Sequence, residues 1–170
     1  ITNGAGSVVA VLDTGITNHS DLNANILPGY DFIIDTTVSN DGNGRDSDPS
    51  DPGDWITSAE STGTFFSGCP VRNSSWHGSH VAGTIAGKSN NSLGVAGINW
   101  QSKVLPVRVL GKCGGYSSDI VDGIRWAAGI AVAGVPANAN PAKVINMSLG
   151  GGGVCGSTSS YQLAINDALS

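Results

Sequence analysis

The chain has 170 residues, 39% of them hydrophobic, which supports one domain with a substantial core and excludes a disordered chain. Its net charge of −5 and scattered set of eight Lys and Arg exclude nucleic acid as a partner, because phosphate recognition needs clustered cations. No apolar run reaches the roughly 18 residues of a membrane-spanning helix, and the low charged fraction, 12%, with 25 glycines suits an extracellular surface of tight turns.

In chain order, the start at Ile1, with neither an initiator Met nor a signal segment, reads as a processed or trimmed product. Residues 7–12, SVVAVL, form a continuous β-branched run, as expected of a parallel strand buried on both faces, with Asp13 at its C-terminal end. Residues 35–75 have almost no periodicity and many turn residues, so a long functional loop is expected there. Seven Asp and one Glu fall between residues 31 and 60, where Arg45 is the sole base, and such a concentration is either a solvated loop or a cation site. His77 to Ala86 reads as a helix whose Gly and Ala content permits close packing on a sheet.

Residues 104–110, VLPVRVL, and 143–148, KVINMS, read as further buried strands, with Pro106 marking the former as irregular or near an edge. Between them Ile120, Val121, Ile124 and Ala128 recur at helical spacing from Ser117 to about Ala133, after a capping pair Ser117-Ser118. The last segment, STSSYQLAINDALS, is helical in pattern and has no Gly or Pro stop signal. Strands alternating with helices define an α/β class: a doubly wound, mostly parallel sheet flanked by helices, incomplete at the C-terminus.

Two motifs carry chemistry. Asp13 closes the first strand in LDTG, and His77 opens HGSHVAG, so the chain offers a carboxylate and an imidazole as the orienting acid and general base of a serine hydrolase. His77 and His80 are three residues apart, but the metalloprotease signature needs H-E-x-x-H, and both the Glu and the spacing are missing. The run AGTIAGKS, residues 82–89, nearly matches a phosphate-binding loop. Position 82 is Ala, Gly83 is one residue too close, and a helical segment precedes it where a strand is required, so nucleotide binding is rejected.

With HSDL at residues 19–22 and SLGG at 148–151, these motifs resemble the subtilisin-like serine proteases, in register from about Ser7 to the C-terminus. The resemblance makes residues 1–170 the N-terminal part of a single peptidase domain. It assigns the acid to Asp13 and the base to His77, leaving His80 as a buried, hydrogen-bonded structural residue and His19 in the turn of HSDL. Gly114, Gly115 and Tyr116 would line one substrate subsite, with Tyr116 as its aromatic wall, and Ser148, Leu149 and Gly150 the primary specificity pocket. An extended peptide adds as a strand beside such unobstructed backbone.

The family also implies calcium, held by Asp21, the Asn91 side chain and the carbonyls of Leu93 and Val95. Asp46, Asp48, Asp51 and Asp54 either make a second calcium site or a plain acidic loop. Cys69 and Cys113 flank the active-site region, and a disulfide between them would fasten two loops. Cys155 would then pair beyond Ser170, three free thiols being the alternative. Ser79 and Ser20 stand where the family has Thr and Pro.

No serine here lies in the family's G-T-S-M-A-x-P segment, and the asparagine that stabilises the oxyanion is also absent. The expected activity is therefore that of a secreted, calcium-dependent endopeptidase cutting protein or peptide substrates, with the remainder of the domain as a partner, possible as a companion chain. The competing expectations are a non-catalytic fragment and a calcium-binding or peptide-binding domain without a nucleophile.

Overall fold

The computed structural model describes residues 3–152, 156 and 159–170, so the pairing expected of Cys155 lies outside the described residues. Its centre is a four-stranded parallel sheet of β1 (Val8–Asp13), β2 (Tyr30–Asp31), β3 (Lys103–Arg108) and β4 (Val144–Asn146), in the order β2-β3-β1-β4. Side chains alternate across a strand, and here both faces are covered. Ala10 and Leu12 of β1 and Leu105 and Val107 of β3 pack beneath α4 (Ser117–Ala127) and α5 (Ser160–Leu169), where Tyr30, Phe32 and Trp126 form an aromatic cluster. Val11 and Val104 face the other way, against Ala82 and Ala86 of α3 (His77–Ala86). Two-sided burial is why SVVAVL is continuously apolar instead of alternating.

The missing N–H of Pro106 falls on the β2 side of β3. The β1 side is joined by Lys103 N–H to Ser7 and Val109 N–H to Asp13, whereas the carbonyls of Val104 and Arg108 accept from Leu27 and Phe32. The outermost ladder accordingly touches at Ile26 and again at Tyr30, skipping Pro106. β3 is thus irregular on one side and one strand in from the edge.

α4 is shorter than its periodicity suggests. It ends at Ala127, and Gly129 follows at φ 89°, a left-handed stop that costs glycine little. Its N-cap is Tyr116, with no side-chain capping bond, so the Ser117-Ser118 pair lies inside the first turn instead of capping it. α5 begins where Ser159 Oγ accepts from Gln162 N–H.

The loop of residues 35–75 contains two short helices, α1 (Thr36–Ser39) and α2 (Ser58–Thr62), over a small core of Ile33, Val38, Ile56 and Phe66. Charge pairs tie it to the frame. Arg45 reaches Asp119 and Asp122 of α4, at 2.9 and 2.8 Å. Arg108, 1% exposed, pairs with Asp31 and Asp41 and donates to the carbonyl of Ser39. Burial pushes the Asp31 carboxyl up to about 7, against the pull of the Arg108 guanidinium. A disulfide joins Cys69 to Cys113, and Lys112 pairs with Glu60 while its ammonium lies 4.9 Å from the centre of the Trp55 ring.

Candidate active site

β1 ends in Asp13, which projects to the same side as Val11 and therefore toward α3, whose first residue is His77. Helix and strand meet at Gly78. A Cβ there would lie 2.2 Å from the carbonyl oxygen of Gly15 and 3.2 Å from Cβ of Asp13, so only glycine permits this approach. His77 Nδ1 consequently sits 2.8 and 2.9 Å from the two oxygens of Asp13. The carboxylate is fully buried and also accepts Thr14 N–H at 2.7 Å, whereas the imidazole is 45% exposed. That pairing orients the ring and fixes Nδ1 as the protonated nitrogen of the neutral tautomer. Among the described residues Nε2 has no hydrogen-bond partner, and it remains free to accept a proton from a group presented in the cleft.

His77 borders a cleft of ≈ 960 Å³ lined also by Gly114, Gly115, Ser148, Leu149 and Gly150. Five of the six residues expected to handle substrate therefore surround one cavity. The sixth, Tyr116, stands 48% exposed between the lining residues Gly115 and Ser117, its hydroxyl 3.5 Å from Asp35. Gly115 has a packing reason as well, since a Cβ would come within 2.1 Å of the carbonyl oxygen of Val109.

The other histidines lie apart from this pair. His80 is exposed on α3, a correction to the expectation that it is buried, because it lies two residues, about 200° of helical rotation, from Gly78 and Ala82 on the stripe Gly78, Ala82, Ala86 that the helix buries. His19 is exposed in its turn, its Nδ1 accepting from Asp21 N–H at 3.2 Å.

Asp21 and the segment 91–95 do come together. Asn91 Nδ2 donates to Asp21 Oδ1 at 2.6 Å and Val95 N–H to Oδ2 at 2.9 Å, and these two bonds hold the carboxyl below the usual carboxylate range. Leu93 N–H in turn donates to Asn91 Oδ1 at 3.2 Å.

The four acids of the second candidate cation site do not converge. Asp46 accepts from Asn43 Nδ2 and Asp48 N–H, and Asp48 accepts from Ser50 N–H. Asp51 is bound to Thr14 and Asp54 to Ser75 and Arg72. Among the described residues no group of three His, Cys, Asp or Glu side chains is arranged to hold a metal ion. Sequence reasoning missed the roles of Thr14, Ser75 and Gly78 beside the Asp13–His77 pair. The only available signal was adjacency, since Thr14 and Gly78 each follow a chemistry-bearing residue.

A buried carboxylate ending a parallel strand, an imidazole opening the next helix and a glycine-rimmed cleft define an acid–base site of the kind found in α/β hydrolytic enzymes. The family profile "Subtilase family" matches residues 4–170, and the chain belongs to that family. It is 62% identical over 167 residues to an extracellular protease of Xanthomonas campestris, covering 98% of this chain and 28% of that protein. An extracellular basic protease of Dichelobacter nodosus is 56% identical over 156 residues, 92% of this chain and 26% of that protein. Among solved structures, a protease of Pseudoalteromonas arctica superimposes with a TM-score of 0.90 at 61% identity, covering 98% of this chain and 47% of that one. The chain thus spans about a quarter of the length of these curated relatives.

Proposed function

We propose that residues 1–170 are the Asp- and His-bearing, N-terminal part of a peptidase domain in a secreted serine endopeptidase. The observation that carries this reading is the pair of contacts from His77 Nδ1 to buried Asp13, opening onto the glycine-rimmed cleft. A peptide lies extended along the 114–116 and 148–150 rims. A serine hydroxyl contributed by sequence outside these residues attacks the scissile carbonyl. His77 Nε2 takes its proton and returns it to the departing amine, while Asp13 stabilises the imidazolium. Water then hydrolyses the acyl-enzyme by the same proton route. Secretion rests on the two relatives named as extracellular proteases and on the disulfide, which persists in oxidising compartments.

For calcium the reading takes the Asp21 corner. An anionic carboxylate, the Asn91 amide and the carbonyls of Leu93 and Val95 are oxygen donors suited to a hard cation, with the Asn91 amide turned to present its oxygen. When bound, the ion would supply stability to the segment after α3 and would take no part in proton transfer.

The test is to treat the native protease with a serine-reactive fluorophosphonate and determine the intact mass of every polypeptide present. Labelling outside residues 1–170, abolished by His77→Ala along with peptide hydrolysis, is the expected result. A single unlabelled species near the 17.1 kDa of this chain would mean a non-catalytic fragment and overturn the proposal for it.

A further inference from the structure

A helix N-terminus leaves four backbone N–H groups without helical partners, normally met in part by the N-cap side chain. α3 has no such cap. Its N-cap residue is Trp76, whose indole cannot accept a hydrogen bond from the backbone, and Trp76 sits in the left-handed region at φ 51°. The next two N–H groups are nevertheless satisfied, and by side chains from outside the helix.

His77 N–H donates to Ser75 Oγ at 3.3 Å, and Ser75 Oγ donates in turn to Asp54 Oδ2 at 3.0 Å. The backbone N–H of Ser75 also donates to Asp54, at 2.6 Å. Gly78 N–H donates to Thr14 Oγ1 at 3.0 Å, and Thr14 Oγ1 donates to Asp51 Oδ2 at 2.7 Å. Arg72 completes Asp54 at 2.9 Å, and Gly53 N–H completes Asp51 at 2.8 Å.

A hydroxyl has one proton to give. Each carboxylate claims that proton, which turns a lone pair of the same oxygen toward the helix. Asp54 and Asp51, 2% and 8% exposed, thereby supply through two hydroxyls the cap that the local sequence lacks. Their negative charge also lies at the end of the helix where the backbone dipole favours it. Thr14 adjoins Asp13, so one hydroxyl ties the strand carrying the acid to the helix carrying the base.

We propose that Asp54 and Asp51 are positioning residues for His77, acting through Ser75 and Thr14 to hold the first turn of α3 where the imidazole meets Asp13. This rests on the protease reading above and explains two of the acids first considered for a cation. A strained Trp76 gives the first turn an incentive to relax once the clamp is removed, and a misplacement of 1 Å in a reacting group can cost about 100-fold in rate.

The experiment uses the full-length protease carrying Thr14→Val, which removes one hydroxyl and keeps the shape, Thr14→Ser, which keeps the hydroxyl, and Asp54→Asn. Each kcat is normalised to active sites titrated with fluorophosphonate. The expected result is a fall in kcat of roughly 10- to 100-fold for Thr14→Val with KM unchanged, recovered to within about threefold by Thr14→Ser, and a smaller fall for Asp54→Asn. Unchanged kcat per titrated site with only a lower Tm would make the network merely structural and overturn the proposal. So would a raised KM at constant kcat. Should one variant not accumulate, the other decides. His77→Ala separates the two readings: if it retains hydrolysis the assignment of His77 as the general base fails, whereas an inactive His77→Ala beside a normal Thr14→Val sinks the clamp alone.

Discussion

The Asp21 corner and the acid-rich segment from Asp31 to Glu60 spend their carboxylates differently. At Asp21 one carboxylate is wrapped by residues 91–95 and bonded to neutral N–H groups, and among the described residues it makes no ion pair. In the acid-rich segment, Asp31 and Asp41 are held by Arg108, Asp54 by Arg72 and Glu60 by Lys112, while Asp51 is held by the Thr14 hydroxyl and a backbone N–H. Density of acids is therefore a poor guide to a cation site. What matters is whether the oxygens converge with no protein cation already paired with their charge.

The largest effect belongs to Arg108. Replacing it with Met leaves the fully buried Asp31 without its cation beside the partly exposed Asp41, and breaking a buried pair in this way costs about 3–5 kcal/mol. The expected outcome is a marked drop in the denaturation midpoint of the fluorophosphonate-inactivated protease. If millimolar calcium restored Arg108→Met to wild-type stability, the acid-rich segment would be a latent cation site and the contrast would collapse.

A middle-sized effect is expected at Asp21. Calcium at 100 times its dissociation constant stabilises by about 2.7 kcal/mol, so the Tm should rise with calcium and fall with a chelator. Asp21→Ala should lose that dependence, and Asp46→Asn combined with Asp48→Asn should keep it. The opposite pattern would move the site to the loop.

The smallest effect concerns Glu60. The bond from Lys112, then those from Thr57, draw its carboxyl down to about 2. A depressed acid contributes stability above its unfolded value near 4.5, lost as pH falls toward 2. Wild type should therefore lose stability more steeply than Glu60→Gln between about pH 4.5 and 2, and equal slopes would show that the pair contributes nothing.

Much of the frame was legible because it depends on local pattern. Two-sided burial wrote continuous apolar runs into β1 and β3, helical spacing marked α4 and α5, and small residues marked α3 as a helix pressed on the sheet. Boundaries were less legible. α4 stops at Ala127 because Gly129 adopts a left-handed turn, and Tyr116 occupies its N-cap position although the neighbouring serines have the better capping chemistry.

The sequence by itself determined which residues could do acid–base chemistry and which backbone could rim a substrate cleft, since Asp13, His77 and the 114–115 and 148–150 segments lie in short motifs whose meaning is local. Only the tertiary structure decided the fate of the acids in the long loop. Asp51 and Asp54 are separated by 37 and 21 residues from the hydroxyls they hold, and no periodicity encodes a contact across that distance. Asp51 could as well have taken a cation, water or an arginine, and Asp54, which holds Arg72 beside Ser75, a cation or water. The choice was made by which donors the folded sheet and α3 bring within 3 Å, and burial then makes an unmet carboxylate too costly to leave alone.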